Sequence, residues 1–377
     1  MRRDTIVYFG IIQFEYNNAM CQHARGIVKM IEGIGYRPVL IGVSSNVNRD
    51  TYKKIDNSRY VINDPRNLKE RLIECISSNE LKKILQEIGM ERVKTFIMAD
   101  FRFIPMKLMK KFCERAGILF AIDIMDRFES EKSIASKIKK IDCDLRMKYF
   151  YPKVERRIYI CRYYNELLGK GDHISVIPGV CENRKIRQQI YRDDIIRLVF
   201  LGRPGEKCEK EKIDWVIRAI DELNLSDKIE LSLAGFEKNN FINNNYNLAL
   251  YIHNNITFYG RITQDKCFAL LENADFSIVI RPDTILSKYG FSTKIGEAFS
   301  CSVPVLATDT SDNKIYIEDG ENGFICDCNY ESVKKMILRV SSLSRDEINI
   351  IKNNCRLNNP LHYSKFLQKF ARVVISE

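Results

Sequence analysis

The chain has 377 residues, 45% of them hydrophobic, which is length enough for two domains with separate cores. Its 60 Lys and Arg against 49 Asp and Glu leave a net charge of +11, which points to anionic partners without choosing among nucleotides, phospholipid headgroups and nucleic acid. Twelve cysteines with no CxxC pair, and four histidines with no metal-pair spacing, argue against a disulfide framework and a bound transition metal.

The opening stretch MRRDTIVYFGIIQFEY has a basic tip and an apolar run, but Asp4, Gln13 and Glu15 interrupt it and no small-residue cleavage site follows. The pattern predicts a buried first strand over residues 5–9. No apolar run approaches the ~20 residues that cross a bilayer, so the protein is expected to be soluble or peripheral. Helical periodicity over 19–34, closing on Gly33 and Gly35, and a strand over 38–43 complete a βαβ opening. A helix near 68–88, a strand over 94–98, a helix near 106–116 and a strand over 118–122 continue the alternation. The sequence AIDIMDRFE (121–129) then puts Asp123 and Asp126 after the strand, where a carboxylate orients or deprotonates an attacking hydroxyl, or does ordinary loop and cap chemistry. His23, on the first helix, is either functional or a structural histidine. Residues 132–157 interleave Lys and Arg with Tyr149, Phe150 and Tyr151, the pattern of a surface that docks on anionic lipid or of a solvated helix face.

A second series starts after Pro178–Gly179, with strands over 198–201, 229–234, 256–259 and 276–280 and helices over 212–223 and 263–273. The Asn-rich stretch 239–255 reads as a loop. From Tyr289 to Phe324 the chain runs YGFSTKIGEAFSCSVPVLATDTSDNKIYIEDGENGF: a turn (Gly290, Phe291, Ser292, Thr293), a short helix with Lys294 and Glu297, a strand over 303–307 and a polar loop. The unpaired N–H groups of a helix N-terminus suit a phosphate, and Glu297, one turn on, is placed to accept from a hydroxyl. Strands alternating with helices imply the α/β class, with two Rossmann-like domains whose mostly parallel sheets face a cleft. The expected boundaries are 1–185 for the first, 186–361 for the second, and a terminal helix over 362–377 that can pack on either domain, back on the first among them.

LVFLGRPGEKCEKEKIDWVIRAI (198–220), LSLAGF (231–236), ITFYGRIT (256–263), ADFSIVIRPDT (274–284) and YGFSTKIGE (289–297) follow one another in an order that resembles the retaining glycosyltransferases of GT-B fold, family 4 or group 1. In the first half, residues 17–44, 145–168 and 174–180 are similar to members that assemble bacterial surface polysaccharides. The resemblance implies a cytoplasmic enzyme, peripheral at the inner face of a membrane. It would move a sugar from a nucleotide-sugar, a UDP-sugar before a GDP-sugar, to a hydroxyl of a glycan or lipid-linked acceptor, with retention, no metal, no cofactor and no nucleic-acid partner. It assigns Glu297 to the donor ribose. Arg203 goes to the diphosphate together with Lys207, Lys210 or Lys212; aligned on Asp214, the lysine position itself is occupied by Glu211. Gly290, Phe291, Ser292, Thr293, Lys294, Gly235, Arg261 and Ile262 line the donor, Arg261 and Ile262 mainly through backbone. Arg281, just past a strand's carboxyl end, either touches phosphate or pairs with a carboxylate, and Asp123 and Asp126 fall on the acceptor side. One departure stands out: Tyr289 occupies the place of the family's first acidic residue. Two rival readings remain, a non-catalytic nucleotide-sugar-binding subunit and a sugar-nucleotide epimerase or phosphorylase on the same fold.

Overall fold

A computed structural model describes residues 3–15, 19–48, 51–64, 77–127, 134–185 and 194–376. The chain divides into two compact units, one comprising Met1–Val180, Tyr289–Phe291 and Tyr363–Glu377, the other Cys181–Lys288 and Ser292–His362.

The first unit is built on eight strands: β1 (Thr5–Phe9), β2 (Arg37–Ser44), β3 (Tyr52–Lys54), β4 (Arg59–Asn63), β5 (Val93–Ala99), β6 (Leu119–Ile124), β7 (Arg156–Tyr159) and β8 (Ile174–Val176). They lie in the order β3-β4-β2-β1-β5-β6-β7-β8, and every pair is parallel except β3 with β4. TIVYF in β1 is buried at all five positions, because a central parallel strand is covered on both faces and cannot alternate. Helices Ala19–Gly33, Asn79–Ile88, Phe103–Arg115, Ile134–Leu145 and Tyr163–Leu168 join the strands. Of the helix expected near 68–88, residues 68–76 lie outside the described residues. The helix Leu367–Val374 belongs to this unit through Phe370, Val373 and Val374, all buried. Its backbone is tied down as well: Arg156 Nη1 donates to the Val373 carbonyl at 2.9 Å, and the Thr95 hydroxyl donates to that of Val374.

The second unit has six parallel strands: β9 (Ile196–Leu201), β10 (Ile229–Ala234), β11 (Ile256–Phe258), β12 (Phe276–Val279), β13 (Val305–Thr308) and β14 (Gly323–Cys326), in the order β11-β10-β9-β12-β13-β14. Leu198 and Phe200 of β9, Ile278 of β12 and Leu306 of β13 meet Ile213, Val216, Ile217 and Ile220 from the helix Ile213–Glu222. The α/β class and the two mostly parallel sheets are those the sequence implied. Two expectations are corrected. The stretch 239–255 is not a loop: it holds the helix Lys238–Asn244 and a 3-10 segment, Tyr246–Tyr251, because Phe241 and Leu248 are buried in the core and Asn245 Nδ2 caps the Phe241 carbonyl at 2.9 Å. The polar loop before Phe324 closes into β14, an edge strand whose glycine start hid its strand character.

Candidate functional site

In an open parallel sheet, ligands bind beyond the carboxyl ends of the strands. In the second unit that edge is a glycine cluster. Gly202, which follows β9, has φ +125°, and Gly235, which follows β10, has φ +113°. The two backbones approach so closely that a Cβ on Gly235 would stand 2.4 Å from the Gly202 carbonyl oxygen. Gly235 N–H donates to the Gly260 carbonyl at 2.8 Å, which brings the turn after β11 into the same cluster. Arg261 beyond it is exposed and Ile262 half-buried.

Arg203 follows Gly202 and is exposed. The chain then folds back on itself: the Pro204 carbonyl accepts from the N–H groups of both Lys210 (2.9 Å) and Glu211 (3.0 Å), and Lys212 N–H donates to the Ile280 carbonyl at 2.7 Å. Lys207 and Lys210 are exposed on this loop, and Lys207 holds a left-handed backbone at φ 50°. Arg281, just past β12, is buried, with its N–H donating to Thr308 Oγ1 at 2.8 Å and its Nη2 to the Leu286 carbonyl at 3.4 Å.

The helix Thr293–Ser300 supplies the next wall. Ile295, Ala298 and Phe299 pin it to the core, which leaves its first turn, Ser292 to Lys294, half-buried. Lys294 runs back toward β9 and ion-pairs with Glu211, its Nζ 4.5 Å from the centre of the Phe200 ring. Burial pushes the Lys294 pKa down, and the Glu211 carboxylate opposes that shift. Glu297 is half-buried one turn further on. Gly290 and Phe291, both buried, precede the helix and group with the first unit. The second unit therefore brings Gly202, Gly235 and Lys294 together at the carboxyl ends of its strands, with Glu211, Lys210 and Arg281 acting on Lys294; Arg203, Lys207 and Arg261 follow these strands in the chain, and Glu297 lies on the helix that carries Lys294. The sequence reading missed Glu211 as a side chain of this edge; its only sequence signal was a carboxylate standing where a lysine was expected.

In the first unit, Asp126 is exposed, while Asp123 requires a correction. It does not follow the strand but lies within β6, fully buried, where its Oδ2 accepts from Tyr8 OH at 3.0 Å and meets His23 Nε2 at 2.7 Å. Burial, then the Asp123 charge, raises the Tyr8 pKa well above the ordinary phenol value. His23 Nδ1 and Asp123 Oδ1 are buried and have no hydrogen-bond partner among the described residues. A carboxylate so enclosed does not reach a diffusing acceptor. The backbone of Asp126 is fixed by Asp100, whose Oδ2 accepts from the N–H groups of Met125 (2.9 Å) and Asp126 (3.0 Å). Asp100 Oδ1 accepts from Arg146 Nη1 at 2.9 Å and from Tyr151 OH. Burial opposes the Arg146 charge, but Tyr151, Asp100 and Asp142 outweigh it and raise its pKa. Arg146 and Tyr151 fell in the stretch read as a lipid-docking or solvated face, but with Phe150 they are buried, because they close on Asp100, whose only sequence signal was a carboxylate directly after β5. Tyr289 also groups with this unit, its ring centre 5.3 Å from that of Tyr164 and 6.1 Å from that of Tyr163, with the Arg127 guanidinium 5.0 Å from it. Among the described residues, no group of three or more His, Cys, Asp or Glu side chains has the placement to hold a metal ion, and no helix is long and apolar enough to cross a membrane.

Residues 196–346 match the family described as glycosyl transferases group 1. Over 178 residues, 46% of the chain, the sequence is 24% identical to an uncharacterized glycosyltransferase of Methanocaldococcus jannaschii, of which the matched part is 43%. Among solved structures, sucrose-phosphate synthase from Thermosynechococcus elongatus superposes with a TM-score of 0.72 at 11% identity, covering 98% of each chain. Anabaena HepE, solved in complex with UDP and glucose, superposes with a TM-score of 0.64 at 13% identity, covering 99% of each chain. At these identities the structural likeness speaks for the fold: two Rossmann-like units of GT-B type.

Proposed function

We propose that this chain, which carries a glycosyl transferases group 1 domain in a GT-B architecture, transfers a sugar from a nucleotide-sugar to an acceptor hydroxyl with retention and without a metal ion. The observation that supports the reading is, within the matched residues, the packing of the Gly202 and Gly235 turns against Lys294 at the start of the helix Thr293–Ser300, which also carries Glu297. Glycine at positions 202 and 235 lets the turns after β9 and β10 pack together with Lys294 lying over Gly202, and the first turn of Thr293–Ser300 offers N–H groups to a phosphate. Glu297 is the carboxylate for a pair of ribose hydroxyls. As the bond between sugar and phosphate breaks, negative charge builds on the diphosphate. Fixed cations at Arg203, Lys294 and the loop lysines stabilise that charge more in the transition state than in the ground state. UDP and glucose in the Anabaena relative support a UDP-sugar as donor.

For the acceptor, Asp126 takes the role the sequence reading shared between two carboxylates, because it is exposed and its backbone is held by Asp100. We assign the acceptor to a glycan or lipid-linked class met at the inner face of an anionic membrane, in surface-polysaccharide assembly. The support is a row of exposed apolar side chains on and after the helix Ile134–Leu145 (Ile138, Ile141, Leu145 and Tyr149) set among Lys137, Lys139, Lys140 and Lys148.

The test is titration calorimetry with UDP, GDP and their sugars, followed by anomeric assignment of the product by NMR with and without EDTA. UDP binding, a product that keeps the donor configuration in EDTA, and a rate falling about 10²–10³-fold in Arg203→Ala are expected. Binding without any product would support a non-catalytic nucleotide-sugar-binding subunit, and an isomerised sugar-nucleotide would support an epimerase. No binding at millimolar nucleotide would overturn the reading.

A further inference from the structure

We infer that Glu211 is a positioning residue for donor binding: it holds the Lys294 ammonium over Gly202, so that a lysine from the helix Thr293–Ser300 joins Arg203 at the diphosphate in place of a lysine at position 211. The inference rests on the donor reading above and goes beyond it by moving a charge from one element to another. Resemblance placed a lysine at position 211, and the chain has a carboxylate there.

Three observations on independent atoms carry it. Glu211 is 2% exposed, in a unit edge otherwise rich in cations, and a carboxylate that far from water needs a partner. The partner is Lys294, whose side chain is 18% exposed against 3% for that of Glu211. Lys294 also fills the space left by an absent side chain, since a Cβ on Gly202 would lie 2.8 Å from its Cε and 2.9 Å from its Nζ. The glycine that gives the chain its turn before Arg203 thus makes room for the lysine as well.

The groups facing Lys294 settle what Glu211 does. Lys210 on the loop and Arg281 past β12 repel the ammonium, Phe200 presents its ring face, and burial works in the same direction as the repulsion. Glu211 is the group that opposes all of these. Without it, Lys294 would give up its proton more readily and lose the tether that aims it at Gly202. A neutral, mobile lysine contributes little to a diphosphate.

The experiment measures UDP affinity by calorimetry across pH 6 to 10 for wild type, Glu211→Gln, Lys294→Gln and the double variant, with melting temperatures recorded alongside. Glu211→Gln is expected to weaken UDP by about tenfold, the scale of coupling between contacting charged groups, and to move the alkaline loss of binding to lower pH. In the Lys294→Gln background the same change should cost nothing further, because the residue through which Glu211 acts is gone. Glu211→Asp, which keeps the charge, should retain most of the affinity. An equal loss in both backgrounds would overturn the proposal, as would UDP binding that is unchanged or tighter in Glu211→Gln, the sign expected of a carboxylate that merely repels phosphate. If Glu211→Gln does not fold, Lys294→Arg and Glu211→Asp carry the test: both should bind within about threefold of wild type while Lys294→Gln does not, and a Lys294→Gln variant that binds like wild type refutes the assignment. Failure of the wild type to bind UDP or GDP is a different result and counts against the donor reading itself.

Discussion

Glu297 is half-buried on a helix whose other face, Ile295, Ala298 and Phe299, is locked in the core. Replacing it with alanine removes hydrogen bonds to a charged acceptor and should weaken nucleotide binding by about 1–3 kcal/mol with little change in melting temperature, as calorimetry and a thermal melt would read. This residue was legible from the sequence because a helix start and a carboxylate one turn later are local features. Asp123 was not. Its position after an apolar run reads equally as the end of a strand or as a loop, and only tertiary pairing with Tyr8 and His23, more than 90 residues away in the chain, decides that β6 runs one residue past it. Glu211 shows the same limit from the other side. The alignment exposed the odd carboxylate, but the lysine that answers it, 83 positions on, became visible only in three dimensions.

Among the elements, the turns at the carboxyl ends of β9 and β10 are the least tolerant, for a reason the backbone states directly. Gly235 has both a left-handed φ of +113° and a carbonyl oxygen 2.4 Å from where a Cβ would sit, so alanine there must move backbone and not a flexible tip. Gly320 in the same unit is also left-handed, at φ +85°, but its nearest atom is the Arg339 guanidinium at 3.4 Å. Gly320→Ala is expected to cost about 1 kcal/mol, the conformational penalty alone, and Gly235→Ala to exceed it by about 1–3 kcal/mol. Urea unfolding of both variants checks the ordering, and equal midpoints would mean that the β9 and β10 turns are free to separate. Strand β1 was readable to the residue because a central parallel strand is an unbroken apolar run, and β10 because IELSLA alternates apolar and polar residues. The short edge elements β3 and β14 were not, since three or four residues with polar or glycine neighbours carry too little pattern, and the helix Lys238–Asn244 was hidden by asparagines on its solvent side.

At the scale of the whole chain, a net charge of +11 is not spread evenly in meaning. Ion pairs such as Lys140 with Asp144 and Arg146 with Asp100 and Asp142 engage some of the cations without changing that excess. What distinguishes the segment 137–149 is that exposed lysines share a surface with Ile138, Ile141, Leu145 and Tyr149, which are 39%, 60%, 36% and 49% exposed. An ordinary solvated helix gains nothing by presenting isoleucine at that spacing, whereas a membrane surface rewards both kinds of side chain at once, with about 1 kcal/mol for each basic residue near anionic lipid. The two contributions separate experimentally because salt screens one and not the other. Wild type should co-sediment with anionic vesicles and much less with zwitterionic ones. Changing Lys137, Lys139, Lys140 and Lys148 together to glutamine should abolish most of that binding at low salt while leaving UDP affinity intact. Ile141→Ser should lower the residual binding that survives at high salt, because the area it removes is apolar. Co-sedimentation identical for wild type and both variants would return these residues to a solvated face and leave the acceptor to be sought among soluble glycans.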